Sequence, residues 1–289
     1  MNSRERLNLS LNHKEADRVP IDFGGFRESS IATIAYNKLR EKLGVDGSLA
    51  RMYDFVQQLA YPEDVILDLF HIDTIDAGRG FLKSDSNWKQ WTLNDGSRCL
   101  IPKYLNIEID NNSTVLLKNK DGLVLGKKPK NSLYTDYAYY VYGDLPGIPQ
   151  EFNNDDLAKD MWSIPTPAWS TNIFNNNGYK LFIDNIKDLY EKTDRAIILE
   201  VGCSLFAGMS LRGLENFLCD LYLDKKGVTR LFDKIMEGYL NTLDAALKGV
   251  GEFVDVIVFG DDLGAQNGPL ISPEIFKELF KAQYKKMYD

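Results

Sequence analysis

The sequence predicts an α/β fold in which parallel strands alternate with helices and an antiparallel segment is inserted between them. Short apolar runs that end in acidic residues and glycine recur along the chain, separated by segments with helical spacing; they lie at 18–25, 72–78, 196–202 and 254–262. The run at 196–202 is nearly continuous in apolar residues, as buried parallel strands are. Residues from about 84 to 145 change to short alternating segments with turns such as Asn94-Asp95-Gly96, which predicts antiparallel strands.

Helical spacing and end signals place helices between these strands. Gly44 takes the position of a C-terminal glycine after one helix, and Pro62 stands in the first turn of the next. Ser272-Pro273-Glu274 combines an N-cap residue, a proline at the first helical position and an early acid. The predicted helices are residues 3–12 with Ser3 as N-cap, 30–43, 62–70, 179–193, 208–222, 227–248 and a last one that begins at 272.

Length and composition indicate one folded unit. The chain has 289 residues, of which 44% are hydrophobic. A chain of this size buries enough surface to hold a core without a disulfide or a structural metal. We therefore expect residues 1–289 to form a single β/α-type domain that carries the β-rich insertion at about 84–145.

Charge and cysteine content narrow the functional classes. The 34 basic and 42 acidic residues give a net charge of −8, without a basic cluster, which disfavours binding to nucleic acid or to an anionic membrane. Cys99, Cys203 and Cys219 form an odd set, as in a reducing compartment. The polar N-terminus and the lack of an apolar stretch of about 18 residues add to the prediction of a cytoplasmic protein without a membrane span.

Acidic residues mark the carboxyl ends of the predicted parallel strands. In β/α folds that end of the sheet carries the active site. The alternative is that such acids cap helices or solvate loops. The acidic candidates are Asp22, Asp73, Asp76, Glu200, Asp261 and Asp262.

Other side chains point less clearly to a chemistry. His13 and His71 lack partners at metal-ligand spacing, so the sequence predicts no metal site within this chain. Cys203 either lines the site or is a small buried apolar residue. Arg27 stands near a glycine-rich strand end and could hold a carboxylate, and it could equally be a surface residue. No glycine-rich nucleotide motif is present.

Several segments, in order along the chain, form a set that is more specific than any one of them. They are Arg4-Glu5-Arg6 through Leu11-Asn12-His13, Asp17-Arg18-Val19-Pro20-Ile21-Asp22-Phe23-Gly24-Gly25, Ile72-Asp73-Thr74, Leu211-Arg212-Gly213-Leu214-Glu215-Asn216, Gly260-Asp261-Asp262-Leu263-Gly264-Ala265-Gln266 and Gly268-Pro269-Leu270-Ile271-Ser272-Pro273-Glu274. This ordered set resembles the uroporphyrinogen decarboxylase superfamily, which includes corrinoid-linked methyltransferases. The resemblance implies a TIM (β/α)8 barrel, of which this chain would hold about four strands.

Within the superfamily the chain looks more like the methyl-transferring branch. True decarboxylases carry Arg-Gln-Ala-Gly-Arg after the first strand, whereas residues 22–27 keep one arginine, Arg27. The resemblance places Asp73 near the central aspartate of the decarboxylases and implies Asp73 and Asp262 as catalytic residues. The implied substrate-binding residues are Asp22, Arg27, Asp76, Glu200, Cys203, Asp261 and Gln266.

The resemblance also implies cofactors and partners. An intact member of the methyl-transferring branch uses zinc and a corrinoid, and both zinc ligand sets would fall beyond residue 289. We expect a small-molecule substrate or a corrinoid protein as partner, and a second chain or a homodimer mate that completes the barrel. The alternatives are a uroporphyrinogen decarboxylase of porphyrin biosynthesis and a non-catalytic truncated paralogue or scaffold.

Overall fold

The computed structural model describes the chain except for residues 46, 154–155, 157–158, 165–175 and 203. Helix α1 is capped by Asn2, whose side chain accepts a hydrogen bond from the Glu5 amide, so the sequence-based choice of Ser3 as N-cap is wrong. The predicted helix 208–222 is divided in two at Gly213. The helices are α1 (Ser3–Leu11), α2 (Thr33–Leu43), α3 (Asp64–Leu69), α4 (Asn176–Lys192), α5 (Ser204–Arg212), α6 (Leu214–Leu223), α7 (Lys225–Val250), α8 (Pro273–Leu279) and α9 (Lys281–Tyr288).

The strands form several small sheets. One has the order β1-β3-β2-β6-β5, a second the order β10-β9-β8-β7, and a third the order β12-β11-β4; β13 and β14 form a pair. The strands are β1 (Ile31–Ala32), β2 (Arg51–Asp54), β3 (Leu59–Tyr61), β4 (Thr74–Asp76), β5 (Trp88–Thr92), β6 (Arg98–Pro102), β7 (Asn106–Ile109), β8 (Val115–Lys118), β9 (Val124–Lys128), β10 (Asp136–Tyr137), β11 (Ala196–Glu200), β12 (Val256–Val258), β13 (Gly264–Ala265) and β14 (Gly268–Pro269).

The expectation of an incomplete eight-stranded β/α barrel is wrong. In the described part of the chain only β4, β11 and β12 form a parallel sheet, the other sheets are antiparallel or mixed, and no barrel closes. The predicted first strand, 18–25, is not a strand. Pro20 lacks an amide hydrogen, and the segment is held by the Asp73 amide, which donates to the Ile21 carbonyl oxygen at 2.8 Å.

The parallel sheet lies against one part of the hydrophobic core. Ile197 and Leu199 of β11 are fully buried and pack with Phe182 and Ile186 of α4 and with Ala246 of α7. Burying apolar side chains of this kind stabilises the fold by roughly 1.5–3 kcal/mol each. This packing holds β4 and β11 side by side, with the carboxyl ends of both strands at the same edge.

Gly202 turns the chain from β11 towards α5. Its φ is +56°, and a Cβ atom there would lie 2.3 Å from Cε1 of the Tyr239 ring. Both the left-handed backbone and the close aromatic ring require a residue without a side chain. The turn sets the position of Glu200 at the end of β11.

Candidate active site

An arginine joins two carboxylates at the edge where the parallel strands end. Asp54 closes β2, Glu200 closes β11, and Arg27 begins a short 3-10 helix, Arg27–Ser29, just before β1. The Arg27 Nε atom is 2.8 Å from Asp54 Oδ2, and its terminal nitrogen is 3.4 Å from Glu200 Oε1. The Arg27 backbone amide also donates to Glu200 Oε2 at 3.2 Å. Three segments far apart in sequence are thus tied into one cluster.

Asp76, at the end of β4, is a second buried carboxyl group, beside Asp54, near this arginine. Its Oδ1 accepts a hydrogen bond from the Gly78 amide at 2.8 Å, and its Oδ2 accepts one from the Tyr61 hydroxyl at 3.0 Å. Burial, with the charge of Glu200 added, raises the pKa of Asp76 from 3.8 to about 6, although the two hydrogen bonds oppose the shift. A carboxyl group with this pKa exchanges a proton near neutral pH.

Tyr61 stays protonated and supports Asp76 from one side. Burial, and then the charge of Asp76, raise the pKa of Tyr61 well above 10. Its ring stacks on that of Tyr53, with the ring centres 4.0 Å apart, and the Arg79 guanidinium lies 5.1 Å from the centre of the Tyr61 ring. The hydroxyl is therefore a fixed donor to Asp76 across the neutral pH range.

Asp73, one of the two implied catalytic residues, lies in a buried ion network at the other end of β4. Its Oδ1 is 2.6 Å from a terminal nitrogen of Arg6, and its Oδ2 is 2.6 Å from one of Arg18. The Ile21 amide donates to Oδ2 at 2.8 Å. Burial opposes the charge of Asp73, but these hydrogen bonds outweigh burial and lower its pKa. The contacts of Asp73 are therefore structural, and they lie at the opposite end of β4 from Asp76.

We expect Asp73→Asn to lower the free energy of unfolding by about 2 kcal/mol, because it weakens charge-assisted hydrogen bonds to two arginines. Urea denaturation at pH 7 measures the loss. Asp17→Asn is the matched control, since Asp17 also pairs with Arg6 but is half exposed, and its effect should be much smaller. A normal unfolding free energy in Asp73→Asn would contradict the structural role.

Asp22 and Asp261 organise the backbone. Asp22 Oδ1 accepts hydrogen bonds from the Gly25 amide, at 3.0 Å, and from the Thr74 hydroxyl. Asp261 accepts from the Leu205 and Phe206 amides at the start of α5, each at 2.8 Å. These contacts are those of a turn and a helix cap, the alternative that the sequence left open for such acids.

The remaining candidates differ in position. Asp262 is exposed. Burial raises the pKa of Glu28, and the negative charges of Glu200 and, to a smaller extent, Asp262 raise it further. Gln266 is exposed in the turn between β13 and β14. Cys203 lies outside the described residues. The structure thus brings together Arg27, Asp76 and Glu200 from the predicted set.

Sequence reasoning missed Asp54 and Tyr61. Asp54 is fully buried, although it ends a strand of the mixed sheet rather than of the parallel sheet. Tyr61 precedes Pro62, which the sequence analysis used only as a helix-start signal. The run Met52-Tyr53-Asp54 also ends in an acidic residue after apolar ones, and this pattern could have identified Asp54 from the sequence.

The described residues do not fit a zinc site. No group of three or more His, Cys, Asp or Glu side chains in the described ranges could hold a metal ion. In the cluster itself, the carboxylates of Asp54 and Glu200 are already engaged by the Arg27 cation.

The chain is similar in structure to a methyltransferase from Methanosarcina mazei, at 11% sequence identity and a TM-score of 0.48. The match covers 99% of this chain and 66% of that protein, so the chain spans about two thirds of its length. No family model matches the sequence, and no curated protein matches it. No helix in the parts that the structure describes is long and apolar enough to cross a membrane. Membership of the uroporphyrinogen decarboxylase superfamily stays a prediction from sequence motifs.

Proposed function

We propose that this protein is an enzyme related to the methyl-transferring branch of the uroporphyrinogen decarboxylase superfamily, and that its site is the acidic cluster around Asp76. The ordered sequence motifs support the lineage. The observation that carries the site is the buried carboxyl group of Asp76, whose pKa is raised to about 6 beside the Arg27–Glu200 pair. Strongly shifted groups with a specific charge partner mark sites of proton transfer.

The proposed role of Asp76 is to accept the proton of a thiol that receives the methyl group. The thiolate is the nucleophilic form of a thiol, and an ordinary thiol has a pKa near 8.5, so little thiolate exists at pH 7. Asp76 is mostly ionised at that pH and is held for the transfer by the Tyr61 hydroxyl and the Gly78 amide. The S–H proton would pass to Asp76 Oδ, the sulfur electron pair would form the new S–CH3 bond, and the bond between the methyl group and its donor would break, with its electron pair left on the donor.

The contacts of Arg27 favour this reaction over decarboxylation of a tetrapyrrole. A porphyrinogen with several carboxylates needs free cationic groups to hold them. Arg27 is neutralised by Asp54 and Glu200, and Arg79 donates to the Pro62 carbonyl oxygen and lies 3.7 Å from Asp64. This edge of the parallel sheet therefore suits a neutral methyl acceptor better than a substrate with several carboxylates.

A methyl-transfer assay tests the proposal. The full chain is incubated at pH 7 with methylcobalamin, as the methyl donor a partner corrinoid protein would carry, and with a small neutral thiol such as 2-mercaptoethanol. Mass spectrometry follows the methyl thioether. We expect product above the protein-free rate in the wild type and in Asp244→Asn, which alters an exposed carboxylate paired with Lys248.

Product at the protein-free rate, from protein with an intact circular dichroism spectrum, would contradict the methyl-transfer proposal. That result would favour the alternative of a non-catalytic binding or scaffold protein.

A further inference from the structure

An open cleft lies between the chain segment that joins β4 to β5 and the loop between β6 and β7. Its volume of about 370 Å³ is enough for a small organic molecule. The cleft combines apolar and aromatic side chains with polar groups and a cation, as ligand sites of small molecules do. The lining residues are Phe81, Leu82, Ser86, Asn87, Lys103 and Tyr104.

Packing behind the cleft holds its apolar wall in place. The Phe81 ring stacks on that of the fully buried Phe182 of α4, with the ring centres 6.0 Å apart. The Leu82 carbonyl oxygen accepts a hydrogen bond from the Trp88 indole N–H at 2.9 Å, and the Leu82 side chain packs against Trp88 and Tyr53. The wall is therefore fixed before a ligand binds, which reduces the entropy cost of binding.

Lys103 gives the cleft a positive charge that the protein does not neutralise. In the part of the chain that the structure describes, no carboxylate forms an ion pair with its ammonium group. Asp85, the acidic residue next to the lining residue Ser86, pairs with Arg51 at 2.5 Å. The Lys103 backbone amide donates to the Asn87 carbonyl oxygen at 2.7 Å, which ties the lysine to the opposite side of the cleft. The charge of this cleft therefore suits an anionic ligand.

Tyr104 adds a hydroxyl donor and connects the cleft with the candidate active site. The residue is half exposed, yet burial around its hydroxyl, followed by the negative charge of Asp54, raises its pKa to about 12. The hydroxyl therefore stays protonated at neutral pH and can donate a hydrogen bond to an anion. Leu82 packs in the same apolar cluster as Tyr61, whose hydroxyl donates to Asp76. The cleft thus adjoins the proposed site of proton transfer.

We propose that this cleft binds a small aromatic monocarboxylate. The Lys103 ammonium group pairs with the carboxylate, and the Tyr104 hydroxyl and the Asn87 side-chain amide donate to it. The ring of the ligand lies on Phe81 and Leu82, because an aromatic ring packs favourably against another ring and an aliphatic side chain. One carboxylate matches the single lysine of the cleft. The proposal does not depend on methyl transfer, since binding is measured without a methyl donor.

Fluorine NMR with 4-fluorobenzoate as the probe tests the proposal. The probe is titrated with the full chain at pH 7.5 and constant ionic strength, and we expect its resonance to shift and saturate. Lys103→Met should weaken binding at least fivefold, because it removes a charge-assisted hydrogen bond. Lys120→Met is the matched control, since it removes an exposed lysine between β8 and β9, and it should bind as the wild type does.

Two further comparisons locate the binding and separate it from a general aromatic effect. The neutral analogue 4-fluorobenzyl alcohol should bind at least fivefold more weakly than the carboxylate. Ser86→Trp introduces an indole into the cleft from an exposed position and should abolish binding, with circular dichroism showing that each variant is folded. The proposal would be overturned by the lack of a saturable shift in the wild type, by equal affinity in folded Lys103→Met, by equal affinity for the alcohol, or by undiminished binding to folded Ser86→Trp.

Discussion

Asp76→Asn is expected to lower kcat for methyl transfer to a thiol by at least about 100-fold, the lower range of a lost general base. The amide keeps the shape of the side chain and can still accept from the Gly78 amide, but it cannot take a proton. Stopped-time product analysis under saturating thiol measures kcat. The wild-type rate should rise with pH through about 6, the pKa of Asp76, because only the ionised carboxylate accepts a proton.

The same variant separates a catalytic from a structural role. Asp76 has a raised pKa in the folded state, about 6 against 3.8, so the stability it contributes is complete below pH 3.8 and is lost as the pH rises through 6. At pH 7.5 Asp76→Asn should therefore be more stable than the wild type, by up to about 3 kcal/mol. An Asp76→Asn variant that is less stable than the wild type at pH 7.5 would contradict the raised pKa on which the assignment of Asp76 as a base depends.

Arg27→Met is expected to lower the free energy of unfolding by about 3–5 kcal/mol, the cost of leaving buried carboxylates without their cation. Asp54 is fully buried and Glu200 largely so, and both face the Arg27 guanidinium. Urea denaturation at pH 7.5 measures the loss of stability.

Arg51→Met is the matched control, because Arg51 pairs with Asp85 at 2.5 Å on the surface. Exposed pairs of this kind contribute about 0–1 kcal/mol. Adding Asp54→Asn to Arg27→Met should restore part of the lost stability, since it removes the unpaired charge. Equal losses in Arg27→Met and Arg51→Met, or no recovery in the double variant, would contradict the proposed coupling.

Part of the candidate site follows from strand patterns alone. Apolar runs that end in acids correctly indicated that Asp76 and Glu200 close parallel strands, and parallel strands bring their carboxyl ends to one edge. The pattern failed at residues 18–25, because an apolar run with Pro20 and two glycines lacks the amide hydrogens and side chains that a central strand requires. The barrel expectation came from the family resemblance and counted that run as a strand; the small separate sheets show that it was wrong.

The rest of the site depends on contacts that no local pattern encodes. Asp73 had the same strand-end signature as Asp76, yet arginines from the N-terminal region, Arg6 and Arg18, engage it in an ion network. Charge partners separated by dozens of residues are set by tertiary packing.

The protonation of Asp76 tests the account most directly. Carbon-13 NMR of protein labelled at the aspartate side-chain carboxyl groups is recorded from pH 4 to 8 in the wild type and in Asp76→Asn. We expect a carboxyl resonance with a midpoint near 6 that is absent from Asp76→Asn. The account would be contradicted if the Asp76 resonance of the wild type titrated near 3.8, so that no midpoint near 6 was lost in Asp76→Asn.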